Sequence, residues 1–327
     1  MNYQTNLKSK ITNTIFSTDH NAEHIAVIYG GMSAEREVSL ASGKSVVDKL
    51  INMGYTVTAI DMGRDIAIVL DQLKPDLVFN ALHGTYGEDG CIQGLLEIMN
   101  IPYTHSNVGS SALSMNKIYS QTIFTNAGIK AANRVIINKY ESYPAEPFPR
   151  PFIIKPVSQG STYGVEAFFE KGTRNAHDYN FEFGDDAIVE EFITGREIQV
   201  AVLCGKAIGN LEIKLLKSKI YDYETKYSEG FAEHICPAPL SSTATQRSLK
   251  ISEEVYKLAG CTGAARVEFL YNENEDEFYL LEINTHPGFT SLSIVPEIAV
   301  KNGIKYEDLL KSIIEDAKIN YAKKKNI

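Results

Sequence analysis

GAARVEFLYNENEDEFYLLEIN (263–284) is the stretch on which the fold turns: two apolar runs studded with charge, joined by an acidic turn. Strand alternation puts Arg266, Glu268 and Leu270 on one face of the first run, and Leu280, Glu282 and Asn284 on one face of the second. With the turn centred on Glu275, Glu268 faces Glu282 and Arg266 faces Asn284 as cross-strand pairs. Two opposed carboxylates repel unless something neutralises them. A hard divalent cation with oxygen ligands does so, and Mg²⁺ shared with phosphate suits the pair best. A solvent-facing hairpin whose charges do nothing stays open as the plainer alternative.

Upstream, PFIIKPVSQGSTYG (151–164) ends a buried strand on Lys155 and follows it with a loop holding Gly160 and Gly164. Backbone N–H groups of such a loop can point at an anion while the lysine adds a point charge. Alone this signal is weak. It is no Walker A loop, and Gly43-Lys44-Ser45 fails as one because Val38 stands where the earlier glycine is required. YGGMSAE (29–35) does not match the dinucleotide fingerprint either.

At the N-terminal end, HIAVIYGG (24–31), TVTAID (56–61) and DLVFNALHG (76–84) read as strands separated by helical spacing at Val38, Val46, Val47 and Leu50. That alternation predicts a parallel sheet covered by helices, a Rossmann-like α/β domain over 25–105. Its loops leave strand C-termini, where ligands bind. In GGMSAER (30–36), Glu35 can either complement a helix N-terminus, the reading the residues alone favour, or hold a substrate ammonium. In ALHGTYGEDG (81–90), His83 among three glycines marks a loop close to ligand, although a lone histidine is more often structural.

Residues 106–190 are expected to form a second unit, with one helix near 110–127 and strands at 150–156 and 186–193. A third, 191–327, holds strands over 197–209, a helix at about 244–260, the acidic hairpin and a C-terminal helix near 306–318. YDYETKYSEGFAEH (221–234), with three tyrosines and no periodicity, reads as a closable lid or an ordinary surface excursion. Residues 1–24 are expected to be a flexible tail.

Composition sets the outer bounds. The 327 residues exceed what one core usually organises, and the net charge of −9 argues against nucleic acid as a partner. Four scattered cysteines without a C-x-x-C pair are expected to be reduced thiols. No apolar run reaches the length of a membrane span, and the first 24 residues lack a signal-peptide core, so a cytoplasmic protein is expected.

Read in order, GGMSAEREVSL (30–40), ALHGTYGEDGCIQGLLE (81–97), ALSMNK (112–117), IIKPVSQGSTYG (153–164), YDYETKY (221–227) and LLEINTHPGFTSLS (280–293) resemble the D-alanine–D-alanine ligase family of ATP-grasp enzymes. The matches are colinear from about residue 25 to the C-terminus. The resemblance implies a mixed α/β and α+β architecture, the N-terminal domain followed by a two-subdomain ATP-grasp fold, and ATP-dependent joining of two D-alanines for peptidoglycan synthesis. It also implies a homodimer. Lys117 and Lys155 would contact the ATP phosphates, Glu190 with Phe192 and Ile193 the adenine, and Glu197 the ribose. Glu268, Glu282 and Asn284 would bind two Mg²⁺ ions, for which Mn²⁺ could substitute. Glu35 would bind the first D-alanine's ammonium with His83 nearby. Ser161 and Tyr227 would join Glu35 in closing the lid, and Lys226 would approach the γ-phosphate. Arg266 would stabilise the tetrahedral intermediate, and Ser293 with the Gly288 backbone would hold the second D-alanine.

Three residues depart from the family pattern: Glu268 for the usual aspartate, QGST for EGSS in the phosphate loop, and Glu191 where lysine often stands. None removes a catalytic group. The competing readings are a sister ligase that uses D-lactate or D-serine, a silent nucleotide-binding regulator and a dehydrogenase. The tyrosine-bearing YDYETKY disfavours lactate, the intact charged set disfavours the regulator, and the missing fingerprint disfavours the dehydrogenase.

Overall fold

A computed structural model describes residues 8–15, 22–160, 162–170, 172, 174–216, 232–290 and 293–321. The first unit comprises β1 (Lys10–Ile15), β2 (His24–Tyr29), α1 (Arg36–Asn52), β3 (Thr56–Asp61), α2 (Ile66–Leu73), β4 (Leu77–Asn80) and α3 (Cys91–Met99), with strand order β1-β3-β2-β4. β2 pairs in parallel with β3 and β4 and is buried on both faces, by α1 on one side and by α2 and α3 on the other. Lys10–Ile15, expected in the tail, instead adds antiparallel to β3. Its mostly exposed KITNTI pattern suits an edge strand, and Thr12 Oγ1 lies 2.6 Å from the Tyr29 hydroxyl.

The single helix expected near 110–127 is two, α4 (Val108–Met115) and α5 (Lys117–Asn126). Asn116 breaks them: its extended backbone ends α4, while its side chain accepts hydrogen bonds from the Ile118 and Tyr119 amides and caps α5. Lys117 thus becomes the first residue of a helix.

β5 (Arg134–Asn138), β6 (Phe152–Pro156), β7 (Glu166–Phe168) and β8 (Asp186–Glu191) form an antiparallel sheet, order β5-β8-β6-β7. Its core, including Ile137, Phe152, Phe168, Tyr179 and Val189, draws only on residues of its own lobe.

The third sheet, order β11-β10-β9-β12-β13, is built from β9 (Arg196–Leu203), β10 (Lys206–Leu215), β11 (Ala232–Ile235), β12 (Ala264–Asn272) and β13 (Glu277–Asn284). The strands expected over 197–209 form a hairpin. Cys204 and Gly205 turn the chain with φ of 48° and 85°, the two positive values a tight two-residue turn needs. α6 (Ser242–Leu258) covers one face. α7 (Ile294–Lys301) and α8 (Tyr306–Glu315) join the other face to the first sheet: Leu211, Ile298 and Leu309 share one core with Val27, Phe79 and Val46.

The acidic hairpin pairs Arg266 with Asn284 and Glu268 with Glu282, as alternation predicts. Beyond Glu268 the register slips by one residue, so Phe269 faces Leu280. This bulge turns Leu280, expected beside Glu282, into the core with Phe269 and leaves Leu281 beside Glu282 at the cleft.

Candidate active site

The second and third sheets face each other across a cleft of about 570 Å³, within the range of roughly 300–1,000 Å³ that holds small ligands. Its apolar end is made by Ile153, Val165, Phe169, Phe192 and Ile193 from one lobe and by Leu270 and Leu281 from the other. Glu197 and Glu212 stand at its rim on β9 and β10. A second group of charges, Lys117, Lys155, Glu190, Glu268 and Glu282, lines the cleft as well.

Each charge there has a partner. Lys155 Nζ lies 2.7 Å from Glu190 Oε2, and both side chains are buried, so each offsets the other's desolvation. Gln121 Nε2, on α5, donates to Glu190 Oε1 at 3.1 Å. Lys117 Nζ sits 2.9 Å from Glu282 Oε2 and donates to the Gln159 carbonyl at 2.8 Å. Burial would raise the Glu282 carboxyl, but Lys117, Lys155 and Arg266 together outweigh it and hold that carboxyl well below the usual range. Arg266 Nε and Nη2 both donate to Glu268 Oε1. Gln199 Nε2 bridges Glu268 Oε2 at 3.2 Å and Glu197 Oε1 at 2.9 Å.

A smaller cavity adjoins the cleft, and Lys117 and Glu282 line both. Glu35, Glu88, Arg266 and Asn284 also line it. Glu35 occupies the N-cap position of α1, yet its side chain makes no cap hydrogen bond. Its carboxylate points instead between Gly84 and Gly160, where an added Cβ would come within 3.0 and 2.9 Å of Oε1. The loop carrying it is braced by a two-point ion pair from Arg36 to Asp61, at 2.7 and 2.6 Å. Asn284 Oδ1 accepts the His286 amide at 2.8 Å, which folds the chain back after β13.

His83 is buried between Ser42 and Glu88, with ring nitrogens 3.0 Å from Ser42 Oγ and 3.1 Å from Glu88 Oε1. Ser293 precedes α7 and takes the Thr290 amide on its Oγ at 3.0 Å; a Cβ on Gly288 would lie 2.8 Å from that same oxygen. The fold thus gathers Lys117, Lys155, Glu190, Phe192, Ile193, Glu197, Glu268 and Glu282 at one cleft. Glu35, Arg266 and Asn284 gather at its neighbour. Ser161, Lys226 and Tyr227, with lid residues 221–231, lie outside the described residues.

Several residues at the site escaped the sequence reading. Gln199 was findable, since alternation places it on the face of Glu197. Gln121, Ser42 and Glu88 carry no local signal, because their partners come from distant segments or a folded loop. His105 and His286 are buried side by side behind the 284–290 turn, rings 5.1 Å apart. Glu191 does not face the cleft's phosphate end: its Oε1 accepts the Asn133 amide and side-chain N–H groups at 3.0 and 2.9 Å.

Residues 119–315 match the family model "D-ala D-ala ligase C-terminus" and residues 69–106 match "D-ala D-ala ligase N-terminus". The D-alanine–D-alanine ligase of Rickettsia felis is 55% identical over 315 residues, covering 96% of this chain and 98% of that one. That of Rickettsia canadensis is 56% identical over 302 residues, 92% of this chain and 85% of that one. Among solved structures, the Bacillus anthracis D-alanine–D-alanine ligase complexed with ATP superposes with a TM-score of 0.76 at 29% identity, covering 90% of this chain and 97% of that one. The Coxiella burnetii enzyme gives 0.75 at 28%, covering 90% and 94%. By sequence and by fold alike, the chain belongs to the D-alanine–D-alanine ligase family and has its ATP-grasp fold.

Proposed function

We propose that this chain joins two D-alanines at the expense of ATP, supplying D-alanyl-D-alanine for peptidoglycan. The observation that carries the reading is that Lys117, Lys155, Glu268 and Glu282 line one cleft together with an apolar patch, with Arg266 and Glu35 in the adjoining cavity. Adenine fits among Phe169, Phe192, Ile193, Leu270 and Leu281, its polar edge toward Glu190 and its ribose toward Glu197. The two lysines then meet the phosphates.

Glu268 and Glu282, with the Asn284 amide oxygen, are hard oxygen donors carried on one face, and an ionised Glu282 fits them to Mg²⁺. When bound, such ions neutralise charge accumulating on the transferred phosphoryl group. The chain's own groups do the rest. Glu35 receives the first D-alanine's ammonium beside His83 and orients its carboxylate toward the phosphates. Lys117 and Lys155 offset the negative charge as the acyl phosphate forms. Gly288 and Ser293 present the second D-alanine, whose amine attacks the acyl carbon. Arg266, in the smaller cavity beside Glu268, stabilises the resulting oxyanion, which collapses to the dipeptide as phosphate leaves. Ser161, Lys226 and Tyr227 close the site against water, which would hydrolyse the intermediate. The product's use and the ATP supply suit a cytoplasmic enzyme, and membership of the family supports a homodimer.

ADP release with ATP, Mg²⁺ and D-alanine tests this, against L-alanine, D-lactate, D-serine and no-substrate controls, with the product identified by mass. D-alanine-dependent turnover yielding the dipeptide is expected. Turnover only with another acceptor would keep the phosphoryl chemistry and replace the substrate.

A further inference from the structure

Ser39, Ser42 and Ser45 recur every three residues along α1; the first two reach across to the segment after β4, and the third to Tyr306 at the start of α8. Ser39 Oγ donates to the Ala81 carbonyl at 2.7 Å and docks the helix on the end of β4. One turn on, the fully buried Ser42 does something different. Its Oγ lies 3.0 Å from His83 Nε2, and it also accepts the Phe289 amide at 3.3 Å. His83 Nδ1 in turn lies 3.1 Å from Glu88 Oε1.

A backbone N–H only donates, and an ionised carboxylate only accepts. These two fixed ends orient the chain between them. Phe289 N–H donates to Ser42, Ser42 O–H donates to His83 Nε2, and His83 Nδ1–H donates to Glu88. The Glu88 carboxylate thus leaves Nε2 of a neutral His83 to accept from the Ser42 hydroxyl on α1, and the same hydroxyl holds the Gly288–Phe289 peptide. The next peptide is held too. The Tyr306 hydroxyl donates to the Phe289 carbonyl at 2.6 Å and lies 3.3 Å from Ser45 Oγ. Helix α1 therefore grips the Gly288–Phe289 backbone twice, once through Ser42 and once through Ser45 and Tyr306.

We infer that Ser42 is a positioning residue for the ligation: it fixes the Gly288–Phe289 backbone, which receives the second D-alanine, relative to His83, which lies beside the first. The inference rests on the ligase reading above. Displacements of about 1 Å at such a site cost on the order of 100-fold in rate, so a link between the two subsites has a kinetic signature distinct from that of general loosening.

The test is Ser42→Ala, with Tyr306→Phe as a second variant, in the full-length protein. Initial rates over ATP and D-alanine are fitted for the nucleotide and for the two amino-acid occupancies, alongside thermal melting. Each variant is expected to raise KM for the second D-alanine about tenfold, the loss of one net hydrogen bond, with KM for ATP and for the first D-alanine within about twofold. A common rise in all three KM values in both variants would overturn the inference in favour of a structural role, and unchanged kinetics would overturn it outright. A wild-type chain that forms no dipeptide would instead remove the ligase reading, and this inference with it.

Discussion

The ammonium of Lys117 sits 2.9 Å from Glu282 Oε2 while also donating to the Gln159 carbonyl, so one side chain ties the expected metal-binding strand to the loop expected to hold phosphate. It reaches both because Asn116 breaks the helix immediately before it. Replacing Lys117 with methionine should raise KM for ATP by about tenfold or more, through the lost charge. It should also release Glu282 toward an ordinary carboxylate titration. ATP titration and carboxyl NMR of the free protein check the two halves separately; unchanged ATP affinity would count against the phosphate role.

Arg266 holds Glu268 through both Nε and Nη2, and Gln199 holds the other carboxylate oxygen. Arg266→Ala therefore leaves Glu268 in place through Gln199. Nucleotide binding should survive within a few-fold, whereas dipeptide formation should fall by roughly 100- to 1,000-fold, the usual cost of removing an oxyanion donor. Equal loss of both would contradict the assigned role.

Glu191 offers a test of the opposite kind. Its carboxylate latches Asn133 rather than the cleft. Glu191→Lys, which restores the family's more frequent residue, should leave KM for ATP within about twofold. It should cost about 0.5–1 kcal/mol of stability, as expected for exposed hydrogen bonds. A large change in nucleotide affinity would show that the side chain reaches the adenine after all.

His105 is packed against Phe79, His286 and Phe289, and burial, aided by nearby His83, pulls its pKa from 6.5 down to about 3. The folded chain therefore keeps this ring neutral where the unfolded chain takes up a proton. Below pH 6.5 the unfolded state binds more protons, so stability falls progressively as pH drops from there toward 3. Denaturant midpoints measured between pH 8 and 5 should show the decline, and His105→Phe should flatten part of it.

How much of this was legible depends on whether the signal was local. Strand alternation places Glu268 opposite Glu282 without reference to anything else, and the pairing is as expected. The bulge that follows depends on how Leu280 fits beneath Phe269, which alternation does not encode. The break at Asn116 did have a local signal, the asparagine itself as an N-capping residue, and Gly205 marks the turn within 197–209. Lys155 was recognised from its loop, but its partner Glu190 lies 35 residues on and is brought to it by sheet register. Glu35 illustrates the reverse: the residues favoured a helix-capping role, and only the fold turns its carboxylate toward Gly84 and Gly160.

The core shared by the first sheet with α7 and α8 has a mechanical corollary. Val27 and Phe79 near the start of the chain are sealed by Ile298 and Leu309 near its end, while the β5–β8 lobe keeps a core of its own. The first sheet and the last two helices are consequently one packed body, the anvil, and the intervening lobe is a second. A fragment cut after residue 105 would therefore bare an oily sheet face, whereas an inserted domain at a loop of the lobe would leave the anvil intact.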